Sequence, residues 1–549
     1  MKNTLIIALC TLFLFSCENK ENTTAPEVAD TTEQLAVNDQ ATKIEPMAKS
    51  AALPSGVQCN VSNYTSANWL SPDPITQLGA VPVNGVPTLP ANKTPGASEN
   101  CDFHIFSWQW FTYLLNPYNE ELRNFENRDL YPVVDLDTCT SVNSDTAVNK
   151  ASRGITPAVL KVIDMPDIPG QAGPGDALYD KNTNIVFYNR SFTKNECGIF
   201  ADGNFPKADA VSASFPTKVD QVVEIKTSWR ILSNTDDASR YYMIEANIEG
   251  IGNKQLGLVG FHVVVNTGAH PEFIWATFEH KDNAPDCNVV IPSSGFTRPQ
   301  PASGWTLASQ SCNTCIASNY QDGADLKTLC NAQCDFNSNP SQPVYDSNGN
   351  VLISGAAGQT PSNICLDVTY GDNPVKPQSV HNIPDIQYLN TLLVGPDGII
   401  TKLDKTNKMA VLKNYFLGGA EWTDVSKITS SSQKFDTELA GSTSLANSTL
   451  ESYTQYSASS FFETGCMSCH GGASGDNTAL ASHLLTSAEG AVPGLIDRCD
   501  VKAGFIGSNE QAQTVCPTTC EDAMGWNGNW KTITGSAMSV CGCNACVSE

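Results

Sequence analysis

No apolar run in the 549-residue chain is long enough to cross a bilayer as a helix, so the body is expected to stand outside the membrane interior. Basic side chains are also scarce: 32 Lys and Arg against 57 Asp and Glu give a formal charge of −25. That balance repels nucleic acid and anionic lipid, and nucleic-acid binding is set aside as a function class. Histidine is rarer still, with seven in the chain: His104, His262, His270, His280, His381, His470 and His483. Few residues are therefore available as nitrogen ligands. The remaining composition, 41% apolar and 16% charged, is that of a globular chain able to bury a core.

Cysteine is plentiful, with 20 in the chain. The N-terminus "MKNTLIIALCTLFLFSC" has one lysine and an apolar run from Leu5 to Phe15 that reads as an export signal. Its last four residues, Leu14 to Cys17, resemble the lipobox of bacterial lipoproteins, which implies cleavage and acylation at Cys17; a simple secretory signal cleaved nearby is the alternative. Residues 18–56 are polar, rich in Thr, Ala and Glu, and read as a tether. After Cys10, Cys17, Cys466 and Cys469 are set aside, sixteen cysteines remain, an even number that suits up to eight disulfides in an oxidising envelope.

In "FFETGCMSCHGGAS" the residues Cys466, Cys469 and His470 stand in the order C-x-x-C-H. Covalent attachment of a c-type haem needs two thiols spaced to meet two vinyl groups, with the next residue turned to the iron. One covalent haem c is expected there, with His470 as axial ligand; a disulfide loop followed by an incidental histidine is the plain alternative. The sixth position stays open between His483, a residue of the large domain, and an open or water-filled site.

Residues 57–408 alternate short apolar runs with Gly, Pro, Asn and Asp clusters. "NTNIVFYNRSF", "QVVEIKTSWRIL", "RYYMIEANIEG", "LGLVGFHVVVNTG" and "FIWATFEHKD" read as strands, and "CDFHIFSWQWFTYLLNP" as a buried helix. His262, His270, Glu279, His280 and Asp282 concentrate there, but Glu279 and His280 are adjacent and fall on opposite faces of a strand. Among Cys312, Cys315, Cys330 and Cys334, the last two share one face of a helix-like segment and could bond to two cysteines on a neighbouring segment; four thiolates on zinc or iron are the alternative. Residues 409–494 read as a short helical haem segment, with helices in "NKMAVLKNYFLG" and "LANSTLESYTQYSASSFF".

"VEIKTSWRIL", "GLVGFHVVVNT", "FIWATFEHKDNAPDC" and "LANSTLESYTQY…GCMSCH" together resemble a group of exported bacterial proteins that end in a single-haem cytochrome c segment. The resemblance implies haem attachment and a shared architecture, with no reaction to carry over. The tail, residues 495–549, is cysteine-dense and resembles the mannan-binding protein module in its blocks "NEQAQTVCPTTC", "WNGNWKT" and "MSVCGC". That resemblance implies a small antiparallel sheet with one helix and a mannose-containing glycan as ligand. Trp526, Trp530, Asn527, Asn529 and Thr532 offer stacking faces and hydrogen-bond groups for a sugar, with Gly528 read as a tight turn; packing of both tryptophans in the module's core is the alternative.

The expected architecture is multidomain α+β: a large β-rich domain with disulfides, a short helical cytochrome segment, and a small disulfide-rich antiparallel lectin-like module. The expected function is electron transfer by a lipid-anchored cytochrome of the bacterial envelope, at the outer membrane, docking on mannose-type glycans. Its redox partner protein is unidentified, and no catalytic residue stands out. An adhesion lipoprotein with a secondary haem, and a haem-dependent peroxidase or oxygenase, are the competing readings.

Overall fold

The computed structural model describes residues 56–57, 59, 100–117, 122–126, 131, 177–193, 223–248, 252–265, 273–287, 296, 298–321, 324–337, 360–367, 370, 382–423, 439–453, 455, 466, 500–504, 506, 509–520, 526–532 and 538–543. Its elements in chain order are α1 (Asn100–Leu114), β1 (Phe187–Phe192), β2 (Val223–Ile231), β3 (Met243–Ile248), β4 (Gly252–Val265), β5 (Ile274–His280), α2 (Gln310–Asn319), α3 (Leu326–Cys334), α4 (Asn382–Val394), β6 (Tyr415–Thr423), β7 (Leu439–Gly441), β8 (Asp500–Gly504), α5 (Asn509–Thr519), β9 (Trp526–Thr532) and β10 (Met538–Cys543). Helices and antiparallel sheets are thus mixed, as the α+β reading expected. No helix among the described residues is long and apolar enough to cross a membrane.

Seven strands form one sheet in the order β1-β2-β4-β5-β6-β7, with β3 paired to the first half of β4. All the pairings are antiparallel. The strand segments anticipated in residues 187–280 are all present. Alternation along β4 and β5 then sorts side chains between two faces: Phe261 lies opposite Phe278, whereas Gly260 and His262 lie opposite Glu279 and Thr277.

The apolar face packs against α1. This helix is buried almost all round, as its composition demands, since a helix without a polar face needs a covered site. Phe111 stacks on Phe278 with centroids 4.0 Å apart, Trp108 meets Phe278 edge-on at 5.0 Å, and Phe103 stacks on Trp422 at 3.7 Å. The hydroxyls of Ser107 and Thr112 donate back to Phe103 and Trp108 carbonyls, so they add no unmet polar group to the core. Cys59 is bonded to Cys101 at the start of α1. From α4, the Asn390 side chain donates to the Leu417 carbonyl and accepts from the Leu417 N–H, beside the irregularity where β6 carries an extra residue against Thr277 and Phe278.

Two expectations are corrected here. "NKMAVLKNYFLG" is not an α-helix: Ala410–Asn414 is a short 3-10 turn and Tyr415 onward is β6, a strand of the large sheet. "LANSTLESY" is likewise a run of turns rather than a helix, and the remainder of that expected helix, Gln455 apart, lies outside the described residues. The aromatic-rich "YFLGGAEW" pairs with β5 over six positions, and this tertiary pairing outweighs the local helical reading of the lysines and leucines before it.

Candidate functional site

The second face of the large sheet is polar and covered. Glu224, Lys226 and Ser228 of β2, Gly260 and His262 of β4, Thr277 and Glu279 of β5, and Gly419 and Glu421 of β6 fall on it by register. Residues 442–453 lie across it as a strap. Asn447 donates to the Thr277 hydroxyl (2.9 Å) and the Phe278 carbonyl (3.0 Å). Its own side-chain oxygen accepts from the Thr449 N–H and hydroxyl at 2.9 and 2.7 Å. Ser228 and Thr449 share a hydroxyl–hydroxyl bond of 2.6 Å directly over Gly260, where no side chain stands between strap and strand.

Two charged groups anchor the strap. Glu451 approaches His262 Nε2 at 3.4 Å. Burial raises the Glu451 carboxyl, but His262 and Lys226 outweigh it and hold the group below its ordinary range. Glu279 accepts from the Ser448 hydroxyl and N–H and from Asn283. Burial nevertheless pushes its carboxyl up to about 7, with Arg298 and the Ser448 bonds opposing. Arg298 is itself buried, pairs with Asp286, and lies 4.7 Å over the Phe416 ring.

His280 is separated from this group, as its adjacency to Glu279 required. It stacks on Tyr241 at 4.2 Å, approaches the Arg240 carbonyl with Nε2, and accepts from the Asp282 N–H. Burial lowers it to about 4, which keeps it neutral. Asp282 is paired with Arg240 at 2.7 Å. The expected cluster therefore divides into His262 with Glu279 on the polar face and His280 with Asp282 at the strand end, while His270 lies outside the described residues. The strap falls on a segment expected from the sequence to be a helix; the density of small hydroxyl and amide side chains in "STSLANSTLES" was the signal against that reading.

The C-terminal sheet has the order β8-β10-β9, antiparallel throughout, with α5 packed against it. Cys516 of α5 is bonded to Cys541 of β10, and Cys520 is also disulfide-bonded. Ala503, Ile506, Ala512, Cys516, Cys520 and Cys541 form a small core, against which Trp526 and Trp530 pack while remaining partly exposed. Trp530 lies opposite Cys541, which places it on the helix-bearing side. Both readings of these indoles thus retain something: each contributes packing, and each keeps a surface.

"WNGNWKT" is a strand, not a turn. Trp530 pairs with Cys541 and Trp526 with Cys543, so four steps on β9 face two on β10, and Asn527, Gly528 and Asn529 occupy the resulting irregularity. The glycine and asparagines read as turn residues therefore serve a bulge. Thr532 lies opposite Ser539 at the other end of the pair.

Of the haem-attachment residues, Cys466 is described, partly buried; Cys469, His470, the candidate sixth ligand His483 and the lipidation residue Cys17 lie outside the described residues. The donor set of two thiols and an imidazole suits a c-type haem by its chemistry and spacing.

Among known families, residues 509–543 match the model of the mannan-binding protein, MVL. The matched stretch begins at α5 and ends with β10, so it coincides with the helix and two of the three strands just described. Comparison with curated proteins and with solved structures gave no match.

Proposed function

We propose that this protein is a lipid-anchored c-type cytochrome of the bacterial envelope whose C-terminal sheet binds mannose-containing glycans. The observation that carries the glycan half is the coincidence of the mannan-binding match with a folded helix-and-sheet unit bearing two partly exposed indoles. Sugars present C–H faces that stack on indole, and Trp526 and Trp530 each keep surface for such contact. Asn527, Gly528 and Asn529, at the bulge, are the proposed polar contacts, with Thr532 beyond them.

The haem half rests on Cys466, Cys469 and His470, and the anchor on Cys17. When bound, a c-type haem supplies a one-electron couple; the chain's part is to hold it by two thioethers and an imidazole. His483 is the candidate for the remaining axial position. The β-rich body is proposed to begin at 57 and, because β6, β7 and the strap belong to its sheet, to run on past 409 to 453; the haem-bearing segment follows it up to 494, and the lectin-like module begins at 495.

The test of the glycan half is calorimetric titration of the full-length protein with mannose-containing oligosaccharides. Trp530→Ala should weaken binding about fivefold or more, an aromatic contact being worth roughly 1 kcal/mol. Because Trp530 also packs on the small core, retention of the Cys516–Cys541 bond is checked in the variant. No heat with any such oligosaccharide on folded wild type removes this half. Haem that survives denaturation and gives a c-type pyridine haemochrome tests the other half, and a haem-free product from a maturation-competent host removes it. Binding without haem leaves the adhesion reading.

A further inference from the structure

The α2–α3 hairpin carries one disulfide and an adjacent pair of thiols whose placement that disulfide dictates. Cys315 of α2 is bonded to Cys330 of α3. Cys312 and Cys334 are in thiol form, both fully buried, and in hydrogen-bond contact with each other. The Sγ atoms of Cys315, Cys330 and Cys334 all lie within 4.8 Å of one another.

Helix geometry explains the second meeting. Going back from Cys315 to Cys312 moves about 4.5 Å along α2, and going forward from Cys330 to Cys334 moves about 6 Å along α3, at about 1.5 Å per residue. In an antiparallel hairpin these steps run the same way, so the second pair stays level to within about 1.5 Å. The i,i+3 and i,i+4 spacings also keep each pair on one helix face. Both helix starts are capped, by Ser309 on the Cys312 N–H and by Asp325 on the Thr328 N–H, which fixes the registers of the two helices.

The surroundings favour a covalent link. The buried cluster around the hairpin consists of Cys287, Trp305, Ala308, Cys312, Cys315, Ile316, Leu326, Cys330, Cys334, Phe336 and Cys365, and Cys287 is bonded to Cys365. A core with so few large apolar groups depends on cross-links for its stability. We propose that Cys312 and Cys334 are oxidised to a second disulfide, making the hairpin a two-rung ladder.

The reaction breaks two S–H bonds and forms one S–S bond. Two electrons and two protons pass by exchange to a disulfide-bearing oxidant, protein or small molecule, which leaves as its dithiol. The thiolate is the attacking species, and burial pushes both thiols up, which slows exchange in the closed hairpin and shelters the bond once it has formed.

The test uses full-length protein purified from an oxidising compartment, denatured without reductant and alkylated. Wild type should leave Cys312 and Cys334 unmodified, whereas alkylation of both overturns the ladder. In Cys312→Ser one newly alkylated thiol should appear, at Cys334; its appearance at Cys315 or Cys330 overturns the proposed pairing. In a variant with Cys287, Cys315, Cys330 and Cys365 all changed to Ser, which also lacks the Cys287–Cys365 bridge across the cut, cleavage after Lys327 should leave the two helix peptides joined until reductant is added. Peptides that separate without reductant overturn the second rung, as does one equivalent of zinc released from wild type with all four thiols alkylatable.

Discussion

On one face of the large sheet, Phe261, Phe278 and Trp422 meet Phe103, Trp108 and Phe111 of α1; on the other, Ser228, His262, Thr277 and Glu279 meet Asn447, Ser448, Thr449 and Glu451 of the strap. Both faces are buried, and the same strands supply both. The first is held by area and shape, which are non-directional, and such contacts accept any apolar neighbour of suitable volume. The second is held by directional hydrogen bonds between particular groups, so a shift of the strap by one residue would strand Asn447, Thr449 and Glu279 together. Helix α1 therefore supplies buried apolar area, and the strap supplies register.

The largest expected effect lies on the apolar face. Phe111→Ala removes a ring stacked on Phe278 and in edge contact with Phe261, and should cost about 3–5 kcal/mol in denaturant unfolding. Phe111→Leu should recover much of that loss, because the face asks for volume more than for direction. A loss below about 1 kcal/mol for the alanine variant would break the comparison by showing that the area buried on α1 does not hold this face.

Next is the pH dependence of the polar face, where Glu279 is the buried acid with the raised carboxyl. Its folded value of about 7 against an ordinary 4.5 means that the folded state binds the extra proton between those values. The group's contribution is complete below about pH 4.5 and is lost as pH rises through 7, by up to roughly 3 kcal/mol at about 1.4 kcal/mol per unit. Glu279→Gln should remove the loss of stability between about pH 6.5 and 7 and, with the two histidines then unopposed, steepen the rise of stability from about pH 4.5 to 6.5. The acid limb should remain, because buried His104 and His280, both lowered to about 4, leave the unfolded chain with the greater proton uptake as pH falls from 6.5. A variant whose profile overlays wild type would assign the titration elsewhere.

This contrast also accounts for what the sequence disclosed. The apolar face announced itself through β-branched and aromatic runs and an all-round apolar helix, and the separation of Glu279 from His280 followed from strand alternation alone. Helical spacing showed that Cys330 and Cys334 share a face, though their bonding depended on where α2 lay. The strap and β6 were illegible because their identities are set by partners far away: Asn447 meets Thr277 across 170 positions, and Leu417 meets Asn390 across a bulge. In the tail, the blocks 509–519, 526–532 and 538–543 each became one element, and only "WNGN" changed character, since Gly and Asn suit a bulge as well as a turn.

The smallest expected effect isolates the seat of the strap. A Cβ built at Gly260 would meet the hydroxyls of both Thr449 and Ser228, which are already bonded to each other at 2.6 Å. Gly260→Ala therefore has to push the strap outward or break that bond, and overpacking of this kind costs about 1–3 kcal/mol. Gly252, on the same strand, has nothing within 4 Å of its Cβ position, so an alanine there meets no neighbour and pays only for its left-handed φ of +80°. The two variants separate contact from backbone strain. Ser228→Ala opens room for the new methyl at the expense of one hydroxyl bond, so the double variant Gly260→Ala/Ser228→Ala should be more stable than the sum of the single losses by about 0.5 kcal/mol or more. Strict additivity, or a Gly260→Ala loss below about 0.5 kcal/mol, would mean that Thr449 does not rest on β4 and that register on this face is set by Glu279 and Asn447 alone.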